Sequence, residues 1–159
     1  MTDLRVGIGV DAHALEEDVP LVLGGVSIDY PRGLAGHSDG DVVAHALIDA
    51  ILGAANLGDI GSLFPAGDEQ YRGASSLDLL WEAYREVREA GWELVNADCV
   101  LIAEEPRIDG VRDEMCERLA TALGVEPSRV SVRATTTDRL GFTGRGEGLA
   151  AHAVALLAR

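Results

Sequence analysis

Pro20 and the pair Gly24-Gly25 are helix breakers, and they restrict which element can follow the first strand of this chain. Alternating apolar residues over Leu4–Val10 predict a β-strand. Residues 7–12 loosely match the G-x-G-x-x-A fingerprint of dinucleotide-binding folds, which must open a helix long enough to cross back over a sheet. These breakers would end such a helix within two turns. They exclude the dinucleotide-binding fold and predict instead a hairpin over Leu21–Tyr30.

Apolar spacing predicts the remaining elements. The expected helices are Val42 to about Leu57, Ser75 or Ser76 to about Ala90, and about Ile108 to Leu123. The expected strands are Leu94–Ala103 and Val130–Ala134, whereas Asp59–Gly73 is typical of a loop and the tail Leu149–Leu157 suits a helix or a buried strand. With no repeat, linker or low-complexity tract, the pattern predicts one domain of class α+β over residues 1–159.

The start and end of the first helix carry their own signals. Ser38 with Asp41 three residues later is a variant of the capping box. Gly58 is expected to end the helix in the left-handed conformation.

Charge restricts the partners. The chain has 27 acidic and 13 basic residues, a formal net charge of −14. Such a surface repels nucleic acid and anionic lipid, so neither is an expected partner. No apolar run is long enough to span a membrane and no signal-peptide core is present, which predicts a cytoplasmic protein. Cys99 and Cys116 match no zinc or redox spacing and are expected to be buried thiols.

A candidate metal site combines Asp11, His13 and His45. Residues two apart on a strand project from the same face, so Asp11 and His13 can reach one ion, and the helix that returns over the strand can supply His45. Two imidazoles and a carboxylate suit zinc or a similar divalent metal, and three protein ligands leave one position open, as in catalytic sites. Asp49, four residues after His45, either orients this imidazole or is a plain helix-surface acid.

Two segments have the chemistry to bind phosphate. His37-Ser-Asp-Gly-Asp41 brings a histidine, a hydroxyl and backbone N–H groups to a helix start, where anions are favoured. An ordinary N-cap explains Ser38 and Asp41 but leaves His37 unexplained. Thr135-Thr-Thr137 follows a strand and offers hydroxyl donors, and Asp138 offers a carboxylate to a second hard cation.

Taken together, these motifs resemble one family. Asp11-Ala-His13, Leu23-Gly-Gly-Val26, His37-Ser-Asp-Gly-Asp41, Leu57-Gly-Asp-Ile-Gly61, Phe64-Pro65, Ala134-Thr-Thr-Thr137 and Leu140-Gly-Phe-Thr-Gly-Arg-Gly-Glu-Gly148 occur in the order found in 2-C-methyl-D-erythritol 2,4-cyclodiphosphate synthases. The resemblance implies an enzyme of non-mevalonate isoprenoid biosynthesis that cyclises 4-diphosphocytidyl-2-C-methyl-D-erythritol 2-phosphate and releases CMP. It also implies a mixed sheet packed on one side by helices, a tail that forms a strand, and a homotrimer with sheets facing the threefold axis and sites between subunits.

The resemblance assigns roles to individual residues. Zinc would be bound by Asp11, His13 and His45, a magnesium or manganese ion on the diphosphate by Asp138, and the transition state would be stabilised by His37 and Thr136. The substrate contacts it implies are Asp11, Ala12, His13, His37, Ser38, Asp59, Ile60, Gly61, Phe64, Pro65, Ala66, Gly67, Asp68, Ala103, Glu104, Glu105, Pro106, Arg107, Ile108, Asp109, Thr135, Thr136, Thr137, Asp138, Phe142 and Arg145. Among these, residues 103–109 would form the cytosine pocket, largely through backbone atoms.

Some positions depart from the family pattern. Asp138-Arg139 stands where Glu-Lys is usual, which shortens the carboxylate by one methylene, and Ala66-Gly67 replaces a more polar pair. Arg145 and Glu147 match positions linked to an axial cavity that holds isoprenoid diphosphates, although an interface ion pair explains them equally well. Two other classes stay open on the residues alone: a zinc-dependent phosphoesterase that uses water as nucleophile, and a non-catalytic trimer that binds isoprenoid diphosphates.

Overall fold

A computed structural model describes all residues, 1–159, and shows one α+β domain built on a mixed sheet. The strands are β1 (Leu4–Glu17), β2 (Leu21–Leu23), β3 (Val26–Ile28), β4 (Arg32–Leu34), β5 (Glu93–Ile102), β6 (Val130–Thr135) and β7 (Gly148–Ala158). Five of them form a sheet in the order β4-β1-β7-β5-β6, in which only the β5–β6 pair is parallel. The short strands β2 and β3 form the predicted hairpin, which is thereby confirmed.

The first strand is longer than predicted. It continues past Val10 to Glu17, because β7 pairs with it as far as Ala14 and β4, which sequence reasoning missed, pairs with its last three residues. Asp11 and His13 therefore lie within the strand rather than at its end. The ambiguous tail is strand β7 and occupies the centre of the sheet.

All long helices cover one face of the sheet. They are α1 (Val42–Ala55), α3 (Ser76–Glu89) and α4 (Arg112–Leu123), with the short helices α2 (Ile60–Leu63) and α5 (Gly141–Gly144) in connections. Helix α1 lies directly on β1 and β7, and α3 packs on α1. The core is a single cluster of 38 buried residues between these layers.

Two glycines let helix α1 lie unusually close to the sheet. A Cβ atom at Gly7 would overlap the carbonyl oxygen of Ala50, and one at Gly9 would overlap that of Ala46. The glycines of the first strand thus serve close backbone approach rather than binding of a dinucleotide. Their consequence is that a residue near the start of α1 reaches the side chains of β1.

Several predicted boundaries are wrong. Helix α1 is capped by the side chain of Asp41 and ends at Asn56, which adopts the left-handed conformation (φ 58°, ψ 43°) predicted for Gly58. The third long helix begins at Arg112, four residues later than expected. The segment predicted as loop, 59–73, contains α2 and a 3-10 turn at Glu69–Tyr71.

The opposite face of the sheet is uncovered, and it is apolar along β1 and the adjoining part of β7. Even-numbered residues of β1 project from it, and Val6 and Ile8 are 69% and 65% exposed. Val154 of β7 lies beside them, paired with Ile8. A contiguous apolar patch of this kind marks an interaction surface. None of the helices has both the length and the apolar character that a bilayer crossing requires.

The two cysteines differ in environment. Cys99 is fully buried in the sheet, and burial raises the pKa of its thiol to about 12. Cys116 is only partly buried, so the prediction of buried thiols holds for Cys99 alone.

Candidate metal and substrate site

Strand β1 and helix α1 bring three potential ligands to one point. Asp11 and His13 project from the helix-covered face of β1, and His45 projects toward them from the first turn of α1. Asp11 Oδ2 lies 2.8 Å from His13 Nε2 and 3.0 Å from His45 Nδ1, and the two nitrogens are 3.2 Å apart. The proposed juxtaposition is therefore present in the fold.

The geometry fits a small divalent cation. A tetrahedral zinc with bonds of about 2.0–2.1 Å holds its ligand atoms roughly 3.3 Å apart, close to the triangle observed here. One nitrogen of each imidazole faces the same carboxylate oxygen, so a cation placed among the three atoms would be within reach of all of them. The set of one oxygen and two nitrogens is suited to zinc and related metals. These residues could therefore hold a metal ion, with one side left open.

Electrostatics within the cluster are attractive. Burial acts to raise the pKa of Asp11, but hydrogen bonds from His13 and His45 outweigh it and lower the pKa to about 2. The hydrogen bond to Asp11 raises the pKa of His13 against the opposing effect of burial. Asp11 is thus a carboxylate over the whole physiological range, as a metal ligand must be.

The outer side of His45 is held by serines rather than by Asp49. His45 Nε2 lies 2.8 Å from Ser76 Oγ and 3.0 Å from Ser38 Oγ. Asp49 instead accepts a hydrogen bond from the backbone N–H of Ile60 at 2.7 Å. The proposal that Asp49 orients His45 is wrong, because its carboxylate serves the following loop.

The N-terminus of α1 is not free to bind an anion. The fully buried carboxylate of Asp41 accepts hydrogen bonds from the N–H groups of Gly24, Gly25 and Ala44. It therefore fills the position that sequence reasoning reserved for phosphate. Ser38 is not part of a capping box, since its hydroxyl faces His45.

A cavity of about 210 Å³ opens beside the cluster. Its lining includes Asp11, His13, His37, Ser38, His45, Ile60, Gly61, Phe64 and Ala66, all predicted, and also Tyr71 and Leu79, which were missed. His37 Nε2 donates to the carbonyl of Asp68 at 2.8 Å, which ties the histidine to the loop after α2. Phe64 packs edge-on against Tyr71, with ring centroids 5.2 Å apart.

Other residues predicted around this cavity lie outside its lining. Asp59 caps α2 through the N–H of Ser62, and the side chain of Asp68 binds Gln70. Pro65 and Gly67 are exposed, and the side chain of Ala12 points to the uncovered face of the sheet. None of these residues contributes to the lining.

A second, smaller cavity of about 130 Å³ lies at the ends of β5 and β6. The predicted residues Ala103, Glu104, Pro106, Arg107, Ile108, Asp109, Thr135 and Thr136 line it, together with Ala134 and Arg112, which were not predicted. Glu105 is exposed beside it and does not contribute to the lining.

The turn after β6 is fixed by Glu104. One oxygen of its carboxylate, Oε1, accepts from the N–H of Thr137 at 3.2 Å and from that of Arg139 at 3.1 Å. Asp138 and Arg139 both have positive φ, 53° and 65°, a conformation that costs energy in residues other than glycine. The carboxylate of Asp138 is exposed, whereas the hydroxyl of Thr137 is occupied by Leu140 and Thr143.

The two cavities lie at the same end of the sheet but apart. Ala12, Ala150, Ile102 and Thr135 form one row across β1, β7, β5 and β6. Three strand spacings separate the ends of this row, roughly 14 Å. Phe142 and Arg145 lie outside both cavities, and Arg145 pairs with Glu147 at 2.8 Å.

The protein is an α+β domain in which a cluster of three potential metal ligands is open to a cavity. This combination is typical of domains that carry out metal-assisted chemistry. Comparisons with known proteins identify the family of the chain. Residues 4–158 match the model of the YgbB family. The 2-C-methyl-D-erythritol 2,4-cyclodiphosphate synthase of Rubrobacter xylanophilus is 60% identical over 162 residues, covering 100% of this chain and 98% of that protein.

Solved structures agree. The bifunctional IspDF from Campylobacter jejuni superposes with a TM-score of 0.96 at 45% identity, covering 99% of this chain, which spans only 43% of that longer protein. A CDP complex of IspF from Plasmodium falciparum gives a TM-score of 0.84 at 32% identity, covering 97% of this chain and 95% of the other. The chain belongs to the 2-C-methyl-D-erythritol 2,4-cyclodiphosphate synthase family, the YgbB family.

Proposed function

We propose that this chain cyclises 4-diphosphocytidyl-2-C-methyl-D-erythritol 2-phosphate to 2-C-methyl-D-erythritol 2,4-cyclodiphosphate and releases CMP. The observation that carries the proposal is the triangle of Asp11, His13 and His45, open to a cavity that also contains His37 and Ser38. It occurs in a chain 60% identical to a synthase of that name.

The reaction needs no nucleophile from the protein. An oxygen of the substrate's 2-phosphate attacks the β-phosphorus, one phosphorus–oxygen bond forms, the bond to the α-phosphate oxygen breaks, and CMP leaves with the electron pair. Catalysis then consists of positioning and charge neutralisation. His37 and Thr136 are proposed to stabilise the transition state. The methylerythritol portion would be held by Ser38, Asp59–Gly61 and Phe64–Asp68.

Positive charge is needed because two phosphates approach each other in a protein of net charge −14. Zinc at Asp11, His13 and His45 would supply Lewis-acid polarisation of the β-phosphate. Asp138, exposed on its constrained turn, is proposed as a ligand of a magnesium or manganese ion on the diphosphate.

The cavity at the ends of β5 and β6 is proposed to bind cytosine. The side chain of Glu104 is committed to the turn, so this pocket would recognise the base mainly through backbone atoms of residues 103–109. The CDP complex of the Plasmodium falciparum relative supports a nucleotide ligand. Thr135–Asp138 would then meet the diphosphate.

A homotrimer is proposed, with active sites between subunits. Within one chain the two cavities are separated by the width of three strands, so the nucleotide pocket of one copy can complete the metal cavity of another. The apolar uncovered face of the sheet would pack around the threefold axis. Residues 1–159 would form one synthase domain of a cytoplasmic enzyme.

An axial cavity that holds an isoprenoid diphosphate is a further part of the proposal. Arg145 and Glu147 already pair within one chain and are both exposed. An isoprenoid diphosphate would have to compete with this ion pair for Arg145.

The decisive experiment is incubation with the cytidyl substrate, with and without a chelator, followed by phosphorus NMR. Equal amounts of CMP and cyclic diphosphate, both lost with chelator, are expected. CMP together with a linear product would show a phosphoesterase instead, and no turnover by metal-loaded protein would overturn the enzymatic proposal.

Two variants assign the metals. His45→Ala should abolish turnover and the binding of stoichiometric zinc but leave the trimer intact.

Asp138→Ala should raise the magnesium or manganese concentration needed for half-maximal rate and leave the zinc content unchanged. An unaltered magnesium titration would remove Asp138 from the site.

A further inference from the structure

A partly buried series of hydrogen-bonded polar groups leads away from the candidate metal cluster. His45 Nε2 lies 2.8 Å from Ser76 Oγ, and the same hydroxyl forms a short contact with Asp39 Oδ1. Asp39 Oδ2 also accepts from the backbone N–H of Ser76 at 3.0 Å. Ser76 is completely buried, at the first position of helix α3.

The carboxylate of Asp39 is itself held firmly. Its Oδ1 accepts the N–H of Asp41 at 3.0 Å, and its own N–H donates to Ala74 at 3.1 Å. The loop that carries His37 and Ser38 is thereby joined to the start of α3. The carboxylate of Asp39, the last acceptor in this series, therefore cannot move without breaking several hydrogen bonds.

The direction of the hydrogen bonds follows from the role of His45. If Nδ1 faces the cation, it has to be unprotonated, and the proton must reside on Nε2. Nε2–H then donates to Ser76 Oγ, and the Ser76 hydroxyl donates to the Asp39 carboxylate, the only polarity in which every group is satisfied. Such outer contacts fix the tautomer and the ring orientation of metal-binding histidines.

We propose that Ser76 and Asp39 are positioning residues that lock His45 in the tautomer and orientation required for metal binding. The inference rests on the proposed metal site and deepens it. Ser38 Oγ, 3.0 Å from the same nitrogen, also contacts His45, but it lines the cavity and can turn toward substrate while Ser76 continues to hold the ring.

The test compares Ser76→Ala with Ser75→Ala. Ser75 is the preceding residue and its side chain makes no capping hydrogen bond, so it is a matched control. Zinc affinity is measured by competition with a chromophoric chelator, and the ligand field by the visible absorption of the cobalt-substituted protein. Neither readout depends on turnover.

Ser76→Ala is expected to weaken zinc binding about 10- to 100-fold and to alter the cobalt spectrum, while Ser75→Ala matches the unmodified protein. Asp39→Asn should act in the same direction, and adding it to Ser76→Ala should cost little more, because the two residues act as one chain. Circular dichroism verifies that each variant is folded.

The outcomes separate the two proposals. Unmodified protein that binds no zinc would overturn the metal site together with this inference. Unmodified protein that binds zinc, with equal affinity and an identical cobalt spectrum in Ser76→Ala, would overturn the positioning role alone. Should Ser76→Ala fail to fold, Asp39→Asn gives the same comparison.

Discussion

Asp41 is the most deeply buried acid of the protein and joins the β2–β3 hairpin to α1. Its carboxylate holds the hairpin turn at Gly24 and Gly25 and caps α1 at Ala44. Burial, reinforced by the charge of Asp39 and opposed by these hydrogen bonds, raises its pKa to about 6. The folded chain therefore binds this proton more tightly than the unfolded chain, whose pKa is about 3.8.

The sign of the pH dependence follows. Protonated Asp41 stabilises the folded state fully below about pH 4. This contribution is lost as the pH rises through about 6, which lowers the free energy of unfolding by roughly 3 kcal/mol. Urea denaturation of metal-free protein between these pH values measures the slope. Asp41→Asn should be less stable overall but should lack this part of the slope, and equal slopes in both proteins would contradict the assignment.

At the level of single residues, the sequence predicted the cluster of Asp11, His13 and His45 but not the contacts that support it. Asp11 and His13 were predictable because strand geometry puts residues two apart on one face. Ser76 was interpreted only as a possible start of the second helix, since nothing in its neighbourhood indicates that His45, 31 residues earlier, lies against it. Spacing along one helix left open whether Asp49 orients His45, and its carboxylate instead accepts from the N–H of Ile60.

The contact between α1 and β1 determines the site at the level of elements. His45 reaches Asp11 only because the backbones of helix and strand touch at Gly7 and Gly9. A side chain at either glycine would separate the two elements and the ligands they carry.

Gly9→Ala is therefore expected to destabilise the protein by about 1–3 kcal/mol through overpacking and to weaken zinc binding. Gly53→Ala, in α1 with no atom closer than 4.0 Å to the new Cβ, is the control. It should be neutral or stabilising by about 0.5–1 kcal/mol, because alanine favours helix. Chemical denaturation and zinc titration measure both, and a harmless Gly9→Ala would refute the close-approach argument.

The turn after β6 is a second element held from a distance. Glu104 Oε1 alone accepts the two N–H groups that fix Asp138 and Arg139 in their positive-φ conformation. Its neighbours Thr135 and Thr136 line the candidate nucleotide pocket.

Glu104→Ala should release this turn and lower kcat/KM about tenfold, the equivalent of one charged hydrogen bond. Glu104→Gln keeps an oxygen at the same position and should retain most of the activity. Steady-state kinetics of the two variants decide the matter, and wild-type kcat/KM in Glu104→Ala would show that the turn is rigid without it.

Elements were predictable where local periodicity determines them, and less so where pairing partners do. The helical spacing of apolar residues predicted α3 correctly, and the glycine pair predicted the β2–β3 hairpin. The extension of β1 to Glu17 and the strand β4 depend on each other, and neither has a strong pattern of its own. The tail was undecided because its residues are almost all apolar, so the sequence shows no alternation even though exposure alternates along much of the strand.

On the scale of the whole molecule, the sheet has one covered and one uncovered face. The uncovered face is apolar along β1, where a monomer would be expected to place polar residues. Packing against other copies would bury this face and bring the separate cavities of neighbouring chains together.

Ile8→Asp tests this arrangement. Ile8 is 65% exposed in the single chain, so a charge there should cost the isolated fold little but should oppose burial between copies. Sedimentation velocity is expected to show a trimer for the unmodified chain and monomers for Ile8→Asp, with turnover reduced at least about 100-fold if the site spans two chains. Trp81→Asp, at an exposed apolar residue of α3 among the covering helices, should stay trimeric. A monomer of Ile8→Asp with full activity would contradict the shared site. It would show that one chain suffices for catalysis, with its two cavities acting together across a separation of roughly 14 Å.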